Sequence, residues 1–238
     1  MEQAGQPAAE GTPAAAGTAE GTAAAAAGPG PVDRQTPPAP SGVSPPDGEQ
    51  PPLPWRQAAP ALARCTWRTA SLLARRELLQ PPDNVGMRIR FGDGTAAAVY
   101  RETRVDRPPP EAPAVLVVCF QLRWVSHEAG HAAFRLESNL NTLLFGGFPG
   151  LVSKLWLRHD QQRRYRGLYE WDGPALAVAY VRALWWPLSV VSAPASIHYR
   201  VLPGLRRDDV LLGRRQPAAP GDAEHAWWRV LEVEAPSG

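Results

Sequence analysis

The chain has 238 residues and a formal net charge of +2. Its positive charges are scattered beside acidic neighbours, as in Arg101-Glu102 and Arg207-Asp208, which argues against a nonspecific nucleic-acid binder. Two cysteines, Cys65 and Cys119, are too few for a disulfide framework and fit a reducing cytoplasm.

Residues 1–54 are almost entirely Ala, Gly, Pro, Thr, Glu and Gln, with Val32, Val43 and Leu53 the only larger aliphatics. Such a segment buries too little apolar surface to offset its ordering entropy, so a disordered tail is expected. It lacks the basic start and Leu-rich stretch of a secretory signal. Residues 55–106 read as a helix plus a hairpin. From Trp55 to Leu79, Leu62, Cys65, Thr69, Leu72 and Leu73 recur at helical spacing, and the arginines lie largely off that stripe. Met87 to Phe91 alternates apolar and polar residues, Gly92-Asp93-Gly94 turns the chain, and Thr95 to Val105 returns. The proline-rich stretch Arg107 to Pro113 is a stiff linker and marks a boundary.

A core domain over 114–212 follows. Val115 to Phe120 is a continuous apolar run, the mark of a strand buried on both faces. Ser126 suits the N-cap of a helix running to about Leu144. Leu151 to Leu157 and Tyr165 to Trp171 read as two strands joined by a turn at Gln161-Gln162-Arg163, and the four arginines from Arg158 to Arg166 as a solvated turn. Asp172 can cap a second helix with Pro174 in its first turn, running to about Val191. That stretch is apolar, but Arg182 near its middle would cost roughly 2.5–3.5 kcal/mol in a bilayer, so no membrane span is expected. Ser196 to Leu202 is a last strand. Residues 213–238 are irregular, with a short strand suggested over His225 to Val233.

The order strand, helix, strand, strand, helix, strand is the α+β, ferredoxin-like βαββαβ arrangement: an antiparallel sheet with two helices on one face. The uncovered face needs burial, and two copies meeting face to face would supply it as a closed barrel. Within this order stand Pro149-Gly150-Leu151 with Lys154, then Gly167, Tyr169 and Trp171, then Ala177 and Tyr180. This pattern resembles the dimeric α/β-barrel superfamily, in particular small monooxygenases of the YdhR type, over about Ala114 to Leu202. The resemblance implies a homodimer and cofactor-independent oxidation of a small aromatic or lipophilic substrate, while the scattered charges and Arg182 argue against a nucleic-acid or membrane partner.

Of the 25 lysines and arginines only Lys154 is lysine, a position where a guanidinium would serve differently from an amine. Alternation sets Lys154 and Trp156 on one face of their strand, and Tyr169 and Trp171 on one face of the next. Aromatic residues with a few convergent polar groups form the usual ligand pocket. The expected site comprises Lys154 and His131 as catalytic groups, with Asn141, Trp156, Tyr169 and Trp171 as substrate-binding ones. Lys154 would stabilise an enolate or phenolate, and His131 would act as base. Plainer roles are core packing for the aromatics, an ion pair with Glu137 or Glu170 for Lys154, and solvation of a helix start for His131. His198 is a further candidate.

Two other functions stand beside this one. One is a noncatalytic small-ligand-binding or interaction protein of the same fold. The other rests on His127-Glu128-Ala129-Gly130-His131, whose H-E-x-x-H spacing is that of zinc peptidase helices. Gly130 weakens the turn that would hold both imidazoles, and no downstream motif marks a third ligand, so no metal is assigned.

Overall fold

The structure, a computed structural model, describes residues 50–123, 145–193, 195–214, 216–217 and 226–236. Residues 1–49 of the expected tail, the His127–His131 string, and the helix expected from Ser126, with His131 and Asn141, lie outside the described residues. The elements are α1 (Trp55–Ala74), β1 (Leu78–Leu79), β2 (Arg88–Phe91), β3 (Ala96–Val105), β4 (Pro113–Gln121), β5 (Leu151–Leu157), β6 (Arg164–Asp172), α2 (Pro174–Val191), β7 (His198–Pro203), α3 (Arg207–Leu211) and β8 (Val230–Glu234).

Strands β7, β4, β6 and β5 stand side by side in that order, and every neighbouring pair is antiparallel. This is an α+β fold with a ferredoxin-like sheet. The sheet does not stop at β5. Strand β3 pairs with its outer edge, Arg101 opposite Trp156 and Thr103 opposite Lys154. A register shift between Val99 and Arg101 bends β3, so that its first half pairs with β2, which in turn pairs with β8. The proline-rich linker 107–113 therefore connects two strands of one sheet.

Alternation along the strands builds two cores. On one face Leu116, Val118, Tyr169 and Trp171 pack against Ala177, Tyr180, Val181 and Leu184 of α2 and Cys65 of α1. On the other face Val115, Val117, Leu155, Leu157 and Leu168 pack against Ile89, Phe91, Val99, Trp228 and Val230. The sequence pattern predicts that this second face is uncovered and meets a second copy. In the structure the chain's own β2, β3 and β8 cover it.

Several boundaries differ from expectation for local reasons. Helix α1 ends at Ala74 rather than Leu79, because Arg76 takes a left-handed conformation (φ 58°) and Leu78-Leu79 pair with β3. Asp172 does not cap α2. Gly173 occupies that position without a side-chain bond, and the Asp172 carboxylate accepts the N–H groups of Glu111 and Ala112 and pairs with Arg107. Residues 50–54, read with the tail, are docked on α2: Arg182 Nε donates to Pro51 O (2.8 Å) and Trp186 Nε1 to Leu53 O (2.7 Å). Helix α2 has the length and apolarity to cross a membrane, yet Ala177, Tyr180, Val181, Ala183 and Leu184 are buried against the sheet.

The stretch Arg158 to Arg166 is not a simple solvated turn. Arg158 and Arg163 are exposed, but Arg166 is fully buried between Asp160 (2.5 Å) and Asp93 (2.6 Å). Arg164 bridges the same two carboxylates. This cluster ties the β2–β3 turn to the β5–β6 turn.

Candidate functional site

A cavity of about 90 Å³ lies between the sheet and α2. Its floor is Lys154, Trp156, Gly167 and Tyr169, and its roof is Leu184, Pro187, Leu188 and Val191. The floor follows from register. Lys154 stands opposite Tyr169 and Trp156 opposite Gly167, so all four point to the helix side. Gly167 is required there, since a Cβ would come within 2.6 Å of the Tyr169 ring, which folds back over it.

Lys154 is 5% exposed. Its ammonium position lies 3.0 Å from the Trp156 ring centroid, 4.6 Å from that of Tyr169 and 5.0 Å from that of Phe145. Burial holds its pKa well below the ordinary lysine range, and the nearby Arg101 cation lowers it further. Among the described residues Lys154 has no ion pair. Glu170, one of the partners considered from sequence, belongs to the opposite face, where Ser153 is its cross-strand neighbour and Arg207 its charged one. Glu137 lies outside the described residues.

The surrounding groups are locked. The Trp156 indole N–H donates to Thr103 Oγ1 (3.0 Å), and the Arg101 guanidinium carbon lies 4.0 Å from the Trp156 ring. Trp156 thus meets the Arg101 guanidinium and the Lys154 amine, and a contact of this kind is worth about 0.5–2 kcal/mol when the group is charged and desolvated. The Tyr180 hydroxyl donates to the Tyr169 hydroxyl (3.2 Å), and burial pushes both phenols well above the usual range. Neither loses its proton near neutrality. The thiols are equally inert: burial raises Cys65 and pushes Cys119 up to about 11. Of the described cavity-lining residues, Lys154 is a base whose pKa burial shifts downward.

Of the residues expected from sequence, Lys154, Trp156 and Tyr169 come together. Trp171 shares their face but sits beyond the cavity, fully buried with its ring 4.9 Å from Tyr180, as a core residue. His198 is exposed beside Trp227 and does not line the cavity. Tyr100, Arg101 and Phe145 were missed. The first two come from β3, which reaches Trp156 only through a strand pairing that nothing local announces. Phe145 reads in the sequence as the residue that breaks a helix. Among the described residues no three of His, Cys, Asp and Glu gather as metal ligands would.

No family model matches the chain, and no curated protein matches it. Two solved structures are similar over 48% of it. One is an uncharacterized ferredoxin fold protein related to antibiotic biosynthesis monooxygenases from Listeria monocytogenes 4b F2365, at 13% identity and TM-score 0.36, with 66% of that chain covered. The other is a monooxygenase-like protein from Listeria innocua, at 15% identity and TM-score 0.35, with 67% of that chain covered. The match to the first spans just under two thirds of its length. Likeness at this level carries no activity over to the present chain.

Proposed function

We propose that the chain is a monooxygenase-like enzyme that takes a small aromatic substrate, bearing an acidic hydroxyl or an enolisable carbonyl, into the cavity beneath α2. The observation that carries this reading is Lys154: a buried amine at the floor of an aromatic cavity, with no carboxylate paired to it among the described residues. A neutral amine there takes a proton from a phenol or from the carbon beside a carbonyl. The resulting ammonium then holds the phenolate or enolate that forms, in a site from which water is largely excluded. Trp156, Tyr169 and Phe145 offer ring faces to an aromatic substrate.

Oxygen would be the second substrate. For an anthrone-type substrate, the ring CH₂ group becomes a carbonyl. One oxygen atom enters the ring carbon, the other leaves as water, and the carbanion supplies the four electrons. No added cofactor belongs to this reading, in line with the family resemblance.

The test is oxygen consumption by the purified full chain with anthrone and with a simple quinol. Turnover is expected from the native protein and a fall of about 100-fold or more from Lys154→Met, the scale of a lost general base. Lys154→Arg is expected not to restore it, because a guanidinium keeps its proton. Equal rates from native protein and Lys154→Met would remove Lys154 from the chemistry. Saturable binding without oxygen uptake would favour the noncatalytic ligand-binding function.

A further inference from the structure

We propose that Lys154 also captures carbonyl compounds covalently, as an imine with a small aromatic aldehyde seated in the same cavity. The proposal rests on the cavity being a ligand site, as above, but not on oxygen chemistry. Three observations carry it.

The first is the amine's surroundings. The described cavity-lining side chains include no carboxylate, so nothing among them holds Lys154 in its charged form as a salt bridge would. The other charged side chain lining the cavity is Arg166, which is paired with Asp93 and Asp160, and the cation that acts on Lys154 is Arg101, which disfavours a second positive charge. The second observation is orientation. The nitrogen sits 3.0 Å from the Trp156 ring centroid. A neutral amine over a π face points an N–H at the ring, which turns its lone pair away from Trp156. The third is the wall, which is mostly apolar: Val118, Phe120, Leu184, Leu188 and Val191 line it, with Tyr100, Tyr165 and the ion-paired Arg166 as its polar members. Imine formation releases water, and an apolar enclosure favours the side that has lost it. Desolvated lysines in hydrophobic pockets are the usual Schiff-base nucleophiles.

The step balances without an oxidant or reductant. The lone pair forms a C–N bond to the carbonyl carbon while the C–O π bond breaks. A proton passes from nitrogen to oxygen to give a carbinolamine, and loss of water leaves the C=N bond. When the imine nitrogen is protonated, the faces of Trp156, Tyr169 and Phe145 stabilise the cation as they would an ammonium.

The sequence makes the test clean, because Lys154 is the only lysine and the α-amino group the only other primary alkyl amine. The full chain is treated with benzaldehyde and cyanoborohydride at neutral pH, then mapped by peptide mass spectrometry. One benzyl group is expected at Lys154, formed about tenfold or more faster than on free Nα-acetyl-lysine, since the gain in neutral amine outweighs the smaller loss of nucleophilicity that comes with a lower pKa. A small phenol should slow the labelling, and Lys154→Arg should abolish it. An unmodified Lys154 beside a benzylated α-amino group overturns the proposal. Phenol binding, followed by tryptophan fluorescence in the same sample, separates the two claims. Binding with an unmodified Lys154 overturns covalent capture alone. Loss of both overturns covalent capture and the cavity as a ligand site together.

Discussion

Substituting Asp160 by Ala is expected to lower the unfolding free energy by about 3–5 kcal/mol, the usual cost of removing one partner of a buried ion pair. The Asp160 side chain is fully buried. It accepts the backbone N–H groups of Gln162 (2.8 Å) and Arg164 (2.9 Å) and pairs with Arg166 at 2.5 Å. Without it Arg166, stacked over Phe91 at 4.4 Å, keeps Asp93 alone as a carboxylate partner in an apolar setting. The pH dependence has a definite sign. Burial alone would raise the Asp160 pKa, but the Arg164 N–H and the Arg166 charge outweigh it and hold the carboxyl below its usual value. A depressed carboxyl stabilises the fold above its unfolded value of about 3.9, and that contribution fades as pH falls through the folded one. Urea unfolding should therefore show the gap between native protein and Asp160→Ala widest at pH 7 and narrowing below pH 4. Asp160→Asn, which keeps the side-chain acceptor for the two backbone groups, should lose less. A gap that ignores pH would mean that the charge of Asp160 does not matter.

Trp228→Ala is expected to cost a similar amount, about 3–5 kcal/mol, and to change how the protein associates. Trp228 is 2% exposed. It packs with Phe91, Val115, Leu168 and Leu202 on the sheet face opposite α2, and Arg200 lies over its ring at 5.4 Å. This is the face through which two ferredoxin-like sheets would meet in a closed barrel. Here β2, β3 and β8 already bury it, so a homodimer of this chain would have to use another surface. Loosening the cover opens an apolar sheet face to water, and exposed patches of that kind drive association. Light scattering after size exclusion should show Trp228→Ala self-associating more than the native chain and binding a hydrophobic dye. A variant that loses less than about 1 kcal/mol and keeps the native size would show that Trp228 is not needed for the cover.

The central strands and α2 were legible because their signals are local: alternation along Leu151 to Leu157, the turn at Gln161 to Arg163, and Pro174 at a helix start. Lys154, Trp156 and Tyr169 could be placed on one side from alternation alone. What escaped was carried by contacts distant in sequence. The residues 96–105 read as half of a separate hairpin, yet β3 lies on the edge of β5 and brings Arg101 to Trp156. Trp171 has the same alternation as Tyr169, and only the packing of Tyr180 shows that it belongs to the core. Arg166 lies in a run of arginines that looks solvated. Its burial depends on Asp93, far along the chain, meeting Asp160.

The central claim is that Lys154 is an amine with a strongly depressed pKa facing a ligand cavity. With one lysine in the sequence, protein carrying ¹³C at the lysine ε-carbon gives a single side-chain resonance to follow by NMR. That resonance should titrate well below the ordinary lysine value of about 10.4 and should shift when a small phenol is added. A resonance that titrates near the ordinary value and ignores the phenol would contradict the account.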